Sequence, residues 1–312
     1  MPSSRSRCVR DSWLPSLGGL ALVASLGACD SGSSYQDDTD TGAGTPSTAG
    51  SGSGPTTGST DDTPAPSTVL PTLFGTPAQS GTGSSSDRWT KSDVKRDDLN
   101  YFFMANGWGP GFQSQTVSWS GTSFSVDSME GTRGMKYEPA SYPTVFCGVY
   151  SDSRSGECGL PKALTSITSL RTGWRWNANG NTGQYNAAYD IWLSNSSDIS
   201  GHSAFLMVWL RDPPGQQPAG ARSANAVSVT NAPGSWNIWS GTVGGKPCVS
   251  YVRNEGHDSP EVELDVMDFV RDAATRKINL PGSTVLSVAV GFEIWSGPIT
   301  KLETNDFYVQ VQ

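Results

Sequence analysis

Alternation of side chains is clearest at residues 204–210. There Phe205, Met207 and Trp209 fall on one face of an extended chain, and Leu206, Val208 and Leu210 on the other. Both faces are apolar, so the pattern predicts a strand covered on both sides. Residues 185–193 (Tyr-Asn-Ala-Ala-Tyr-Asp-Ile-Trp-Leu) and 290–295 (Val-Gly-Phe-Glu-Ile-Trp) have the same character. Each sets a carboxylate, Asp190 or Glu293, two positions before a tryptophan on the same face, Trp192 or Trp295. If the three strands are neighbours, one surface collects Asp190, Trp192, Phe205, Met207, Trp209, Glu293 and Trp295. Elsewhere after residue 89, short alternating runs broken by Gly, Asn, Ser and Pro predict an all-β sandwich or barrel. One helix interrupts it between Asp265 and Lys277: Val266, Phe269, Val270 and Ala273 follow helical spacing, Asp265 suits the N-cap, and Arg276 and Lys277 suit the negative end of the helix dipole. The alternation at 307–312 predicts a last strand that closes a sheet.

Composition divides the chain in three. Ten of the eleven Trp lie after residue 88, while Gly, Pro, Ser and Thr crowd the stretch before it. The formal charge of −8 is uneven: +2 over residues 1–29, −6 over 30–88 and −4 over the rest. Clustered Lys and Arg are absent, so nucleic acid is excluded as a partner. Residues 1–29 combine a basic start with an apolar run, 14–26, too short to cross a bilayer as a helix, and end in Leu26-Gly27-Ala28-Cys29. This resembles a bacterial lipobox, which implies an exported lipoprotein anchored at Cys29, at the cell surface or in the periplasm. An ordinary signal peptide with an incidental Cys is the alternative. Residues 30–88 hold too little apolar surface to offset ordering entropy and read as an acidic tether. Within it, residues 69–74 form a brief apolar patch with no evident partner. Residues 89–312 are long enough for one well-buried core. With two His, His202 and His257, and no Cys-x-x-Cys, a zinc site is not expected. No cofactor is called for, and Cys248 reads as a buried thiol.

The three strands, with Gln217-Pro218-Ala219-Gly220 after the middle one, resemble glycoside hydrolase family 12, jelly rolls that cleave β-1,4-glucans. The resemblance spans residues 100–312. It implies a jelly-roll β-sandwich of two antiparallel sheets with a concave glycan cleft, a β-glucan ligand (cellulose, mixed-linkage glucan or xyloglucan) and a monomer. The family's middle strand reads Glu-(Leu or Ile)-Met-Ile-Trp-Leu, and its leading Glu is the nucleophile; Phe205 stands there in this chain. The acid/base strand Gly-Phe-Glu-Ile-Trp is intact at Glu293. The resemblance makes Asp190 the residue that hydrogen-bonds the nucleophile, here without that partner. Retaining hydrolysis needs two carboxyls about 5–5.5 Å apart, so impaired or absent turnover is expected, with a non-catalytic glucan-binding lipoprotein as the alternative. A further reading makes Asp190 a base on water in an inverting scheme.

For binding, the resemblance implies Asn106, Trp108, Phe205, Met207, Trp209, Pro218 and Trp295. By residue type alone, Asn106-Gly107-Trp108-Gly109 also suits a turn with a core tryptophan. Trp174, Trp176 and Trp236 are expected in the core. Similarity to bacterial members at Tyr142-Pro143, the Cys pair and Gly159-Leu160-Pro161 implies a Cys147–Cys158 disulfide. Gly297-Pro298-Ile299-Thr300-Lys301 departs from the family's Gly-Gly-x-Gly-Leu after the acid/base. The anchor is testable: Cys29 incorporates labelled palmitate in a bacterial host and Cys29→Ser releases soluble protein, whereas a wild type already soluble and lipid-free contradicts it.

Overall fold

A computed structural model describes residues 74–134, 138–196, 201–254 and 259–312. The apolar run at 14–26, Cys29, the tether up to residue 73 and His257 lie outside the described residues. Two sheets stack face to face. The main path of the larger runs, in order across it, Gln79–Ser80, Lys91–Arg96, Leu99–Met104, Thr144–Tyr150, Thr284–Gly291, Ala187–Ser194, Ala204–Arg211, Lys246–Arg253, Trp236–Val243 and Ala221–Val227. The smaller runs Glu261–Asp265, Leu170–Asn177, Leu302–Val311, Ser123–Gly131, Phe112–Ser120 and Thr82–Ser85. Pairing among the described residues is antiparallel except between Ala204–Arg211 and Lys246–Arg253, which run parallel with Phe205 opposite Cys248.

The two-faced pattern has a direct cause. Leu206, Val208 and Leu210 point between the sheets with Tyr189, Ile191, Val288 and Val290, and meet Trp174, Trp176, Phe307 and Val309 from the smaller sheet. On the opposite face, Trp209, Trp239, Trp295 and Ala188 are also buried, against one another. Met104, Tyr142, Phe146, Tyr150 and Ala289 form a second cluster there. Trp174, Trp176 and Trp236 are core residues, as expected.

The helix is Val266–Thr275, with the Asp265 side chain accepting from the Met267 N–H at 2.9 Å. Phe269 sits edge-on to Trp236 (5.3 Å) and Tyr251 (5.0 Å), which fixes the helix on the larger sheet. Cys147 and Cys158 are disulfide-bonded, and Cys248 is a buried free thiol.

Three expectations are corrected. The folded unit begins before residue 89, because Gln79–Ser80 and Thr82–Ser85 are strands within the stretch read as tether. They are held by ladder bonds and by the Gln79 side chain on Thr122, so a hydrophobic pattern does not register them. Phe74, from the apolar patch without a partner, docks edge-on to Tyr308 at 5.3 Å under the Arg175 guanidinium. The last strand is Leu302–Val311 and lies inside the smaller sheet, between Leu170–Asn177 and Ser123–Gly131, rather than closing it. Its buried Asp306 takes two hydrogen bonds of 2.9 Å from the buried Arg96 of the other sheet. Removing one member of a buried pair strands the other charge at a cost of about 3–5 kcal/mol. Asp306→Ala is therefore expected to lower the urea-unfolding free energy by about that much, whereas Glu261→Ala, at the exposed Arg175 pair, costs under about 1 kcal/mol.

Candidate functional site

The outer face of the larger sheet follows from its registers. Asp190 lies opposite Ala289 on one side and Met207 on the other, and Ala188 lies between Gly291 and Trp209. Trp192 is opposite Phe205, so Phe205 is diagonal to Asp190, within reach of a long side chain. Directly paired residues share a face, so Phe205, Met207 and Trp209 line up with Cys248, Ser250 and Val252.

The stretches 185–193 and 290–295 both differ from the uninterrupted runs expected. Thr284–Gly291 stops before Phe292 and resumes as Ile294–Ser296, which pairs with Gln184–Tyr185 in a separate small ladder. Glu293 sits in the break, facing Asn186, which interrupts the other strand. The two residues hold each other: the Asn186 N–H donates to the Glu293 carbonyl (3.0 Å), the Glu293 N–H donates to Asn186 Oδ1 (2.9 Å), and Asn186 Nδ2 donates to Glu293 Oε2 (2.5 Å). Burial, reinforced by the Asp190 charge and opposed by the Asn186 bond, pushes the Glu293 carboxyl up to about 8. That is a proton-donor setting at neutral pH.

Asp190 is buried, and both its bonds fall on one oxygen: Oδ2 accepts from Tyr150 Oη at 2.8 Å and Trp192 Nε1 at 2.9 Å. Burial, partly offset by those bonds, pushes its carboxyl up to about 6. Oδ1 is buried without a partner, and so is Trp209 Nε1. An acceptor and a donor are thus left unsatisfied on the same face.

Phe205 is half-buried, T-shaped to Trp192 at 5.7 Å and against His202 at 4.6 Å. Trp209 and Trp295 lie 5.7 Å apart, with Met207 packed beside Trp209. An open cavity of about 450 Å³, lined by Thr132, Arg133, Gln184, Gln216, Trp295 and Ser296 among others, extends from Trp295. Trp108 is exposed. Asn106, in a left-handed conformation (φ 47°), donates from Nδ2 to the Tyr142 carbonyl at 3.1 Å. Their loop is bonded to residues 140–142, which in turn bond Ile294 beside Glu293. Pro218 is buried, and the cavity takes Pro214–Gln216 from the same loop instead.

Residues 100–312 match the model of Glycosyl hydrolase family 12. The chain belongs to glycoside hydrolase family 12. The xyloglucan-specific endo-β-1,4-glucanase A of Emericella nidulans is 28% identical over 214 residues, covering 68% of this chain and 86% of that protein. Among solved structures, the endoglucanase Cel12A from Rhodothermus marinus superposes with a TM-score of 0.63 at 30% identity, covering 74% of this chain and 99% of that one. A family 12 xyloglucanase from Bacillus licheniformis gives 0.61 at 25% identity, covering 74% and 100%.

Asp190, Phe205, Met207, Trp209, Glu293 and Trp295 therefore share one face of a family-12 jelly roll, and Asn106 and Trp108 border it. The sequence reading missed Asn186, Tyr150 and His202. Asn186 stood inside the quoted Tyr185–Leu193 stretch, and a polar residue in an apolar strand was the signal available. The raised Glu293 carboxyl has a thermodynamic signature. A folded-state value above the usual 4.5 means the native state binds more protons, so its contribution to stability is present below about 4.5 and is lost as pH rises towards 8. Chemical denaturation at pH 5 and 8.5 is expected to show wild type losing more stability between the two than Glu293→Gln; equal losses contradict the assignment.

Proposed function

We propose that the cleft binds a β-1,4-glucan chain and does not cleave it by the retaining route. The observation that carries this reading is the Phe205 side chain, packed with Trp192 and His202 where the family's pattern calls for an attacking carboxylate. A phenyl ring neither attacks an anomeric carbon nor stabilises an oxocarbenium charge. Binding is supported by the half-buried Trp192, Phe205 and Met207 as apolar surface for sugar rings and by the exposed Trp108 at the border, whereas Trp209 and Trp295, expected to take sugar rings, are buried beneath that surface. The relatives' named substrate, xyloglucan, is the first ligand to test, and the open cavity beside Trp295 leaves room for a branch. The Cys29 motif supports a lipid-anchored protein that holds this cleft at the cell surface or in the periplasm.

A second reading is favoured by Asp190 alone. Its free Oδ1 and raised carboxyl suit a base acting on water, with Glu293 as acid, in a single displacement that inverts the anomeric carbon. Inverted product from wild type, abolished by Asp190→Asn, would favour it.

The decisive variant is Phe205→Glu, which replaces the one group the family pattern lacks here. Nucleophile and acid together supply several powers of ten in rate. Phe205→Glu is therefore expected to release reducing ends from xyloglucan or carboxymethyl cellulose well above a wild-type background near zero, with a modest loss of stability from a carboxylate near Asp190. A folded, glucan-binding Phe205→Glu protein that releases none contradicts a loss confined to that position.

A further inference from the structure

Beside Phe205 the same face carries a cation that a neutral glucan does not require. Lys246 precedes Cys248 by two residues and so shares its face. The Gly244-Gly245 turn, both residues at positive φ (57° and 76°), closes the hairpin that pairs Val243 with Lys246. Lys246 Nζ lies 3.2 Å from His202 Nε2, and no acidic side chain pairs with Lys246 among the described residues. Burial, then the Lys246 charge, pushes the His202 imidazole down to about 4. The ring is therefore neutral, with Nε2 accepting from the ammonium and Nδ1 carrying its proton. Two Nζ–H groups and one Nδ1–H remain as donors beside an aromatic surface, with the His202 ring 4.2 Å from Trp192 and 4.6 Å from Phe205.

We propose that Trp192, His202, Phe205 and Lys246 form a subsite for a sugar carrying a carboxylate, a uronic-acid unit on the β-1,4-glucan that the cleft binds. This rests on the glucan reading above and adds to it the class of substituent. The aromatic rings take the apolar face of the sugar, and the ammonium takes its carboxylate in a charge-assisted bond about twice as strong as one to a neutral hydroxyl. Of the two carboxyls on the same face, Glu293 is held protonated at neutral pH, while Asp190, pushed up only to about 6 and bonded through Oδ2 to Tyr150 and Trp192, keeps a charge that the Lys246 ammonium outweighs by direct contact with the ligand carboxylate.

The test is calorimetric titration of the full chain at pH 7 with cellohexaose and with the same oligosaccharide oxidised to a carboxylate at one C6. At low salt, about 20 mM, the oxidised ligand is expected to bind roughly three- to tenfold tighter, and the gap to close near 500 mM. Lys246→Met should bring the ratio of the two affinities to about one and Lys246→Arg should keep it above one. Lys246 is half-buried at a hairpin end, so neither change disturbs the core. Equal or weaker binding of the oxidised ligand at low salt, or a preference that survives Lys246→Met, overturns the proposal. Binding of cellohexaose alone overturns it while leaving the glucan reading intact, and binding of neither ligand removes both.

Discussion

Burial on both faces of the larger sheet is the constraint on which the rest of this molecule depends. Ala187–Ser194 and Ala204–Arg211 each give one face to the core between the sheets and the other to the outer surface, where Trp209, Trp239 and Trp295 bury themselves against one another. Removing apolar area from water is worth about 25 cal/mol per Å², and here it is gained twice from the same strands. The outer face is consequently dry enough that its few polar groups are strongly perturbed. Asp190 and Glu293 are both pushed up by burial, in spite of their hydrogen bonds. The proposed glycan groove and the set of shifted carboxyls are thus two results of one packing arrangement.

Phe205 fits that arrangement as a hydrophobic side chain, which explains how the position tolerates it. It extends the aromatic cluster of Trp192 and His202, where a carboxylate would need hydration or a partner. Asp190 Oδ1 on the same face is without a hydrogen bond, a local cost of the kind met at binding and catalytic sites rather than in cores. Glu293 keeps its reciprocal contacts with Asn186. On the reading proposed above, the acid side of the site is intact and the nucleophile side is filled.

Local periodicity made the two central strands, the helix and the core tryptophans legible, because each is set by side chains a few residues apart. Asp190, Phe205 and Glu293 were legible only together with the resemblance to the family, since alternation alone does not distinguish a core face from a cleft. What stayed hidden depends on partners far along the chain. Gln79–Ser80 and Thr82–Ser85 are polar strands fixed by ladder bonds. Asp306 is charged in a buried strand because Arg96, 210 residues away, pairs with it. The break in the Glu293 strand is matched to Asn186, 107 residues away. His202 and Lys246 meet across a loop and a hairpin, and neither carries a motif.

A mechanism-based probe addresses the central claim directly, because a 2-deoxy-2-fluoro cellotrioside with a good leaving group accumulates as a covalent glycosyl-enzyme only where a carboxylate nucleophile attacks. Mass spectrometry of the wild-type protein after exposure to it is expected to show a non-covalent complex under native conditions and the unmodified mass after denaturation. A covalent adduct on any residue, or no complex at all, would contradict a cleft that binds β-1,4-glucan without the retaining reaction.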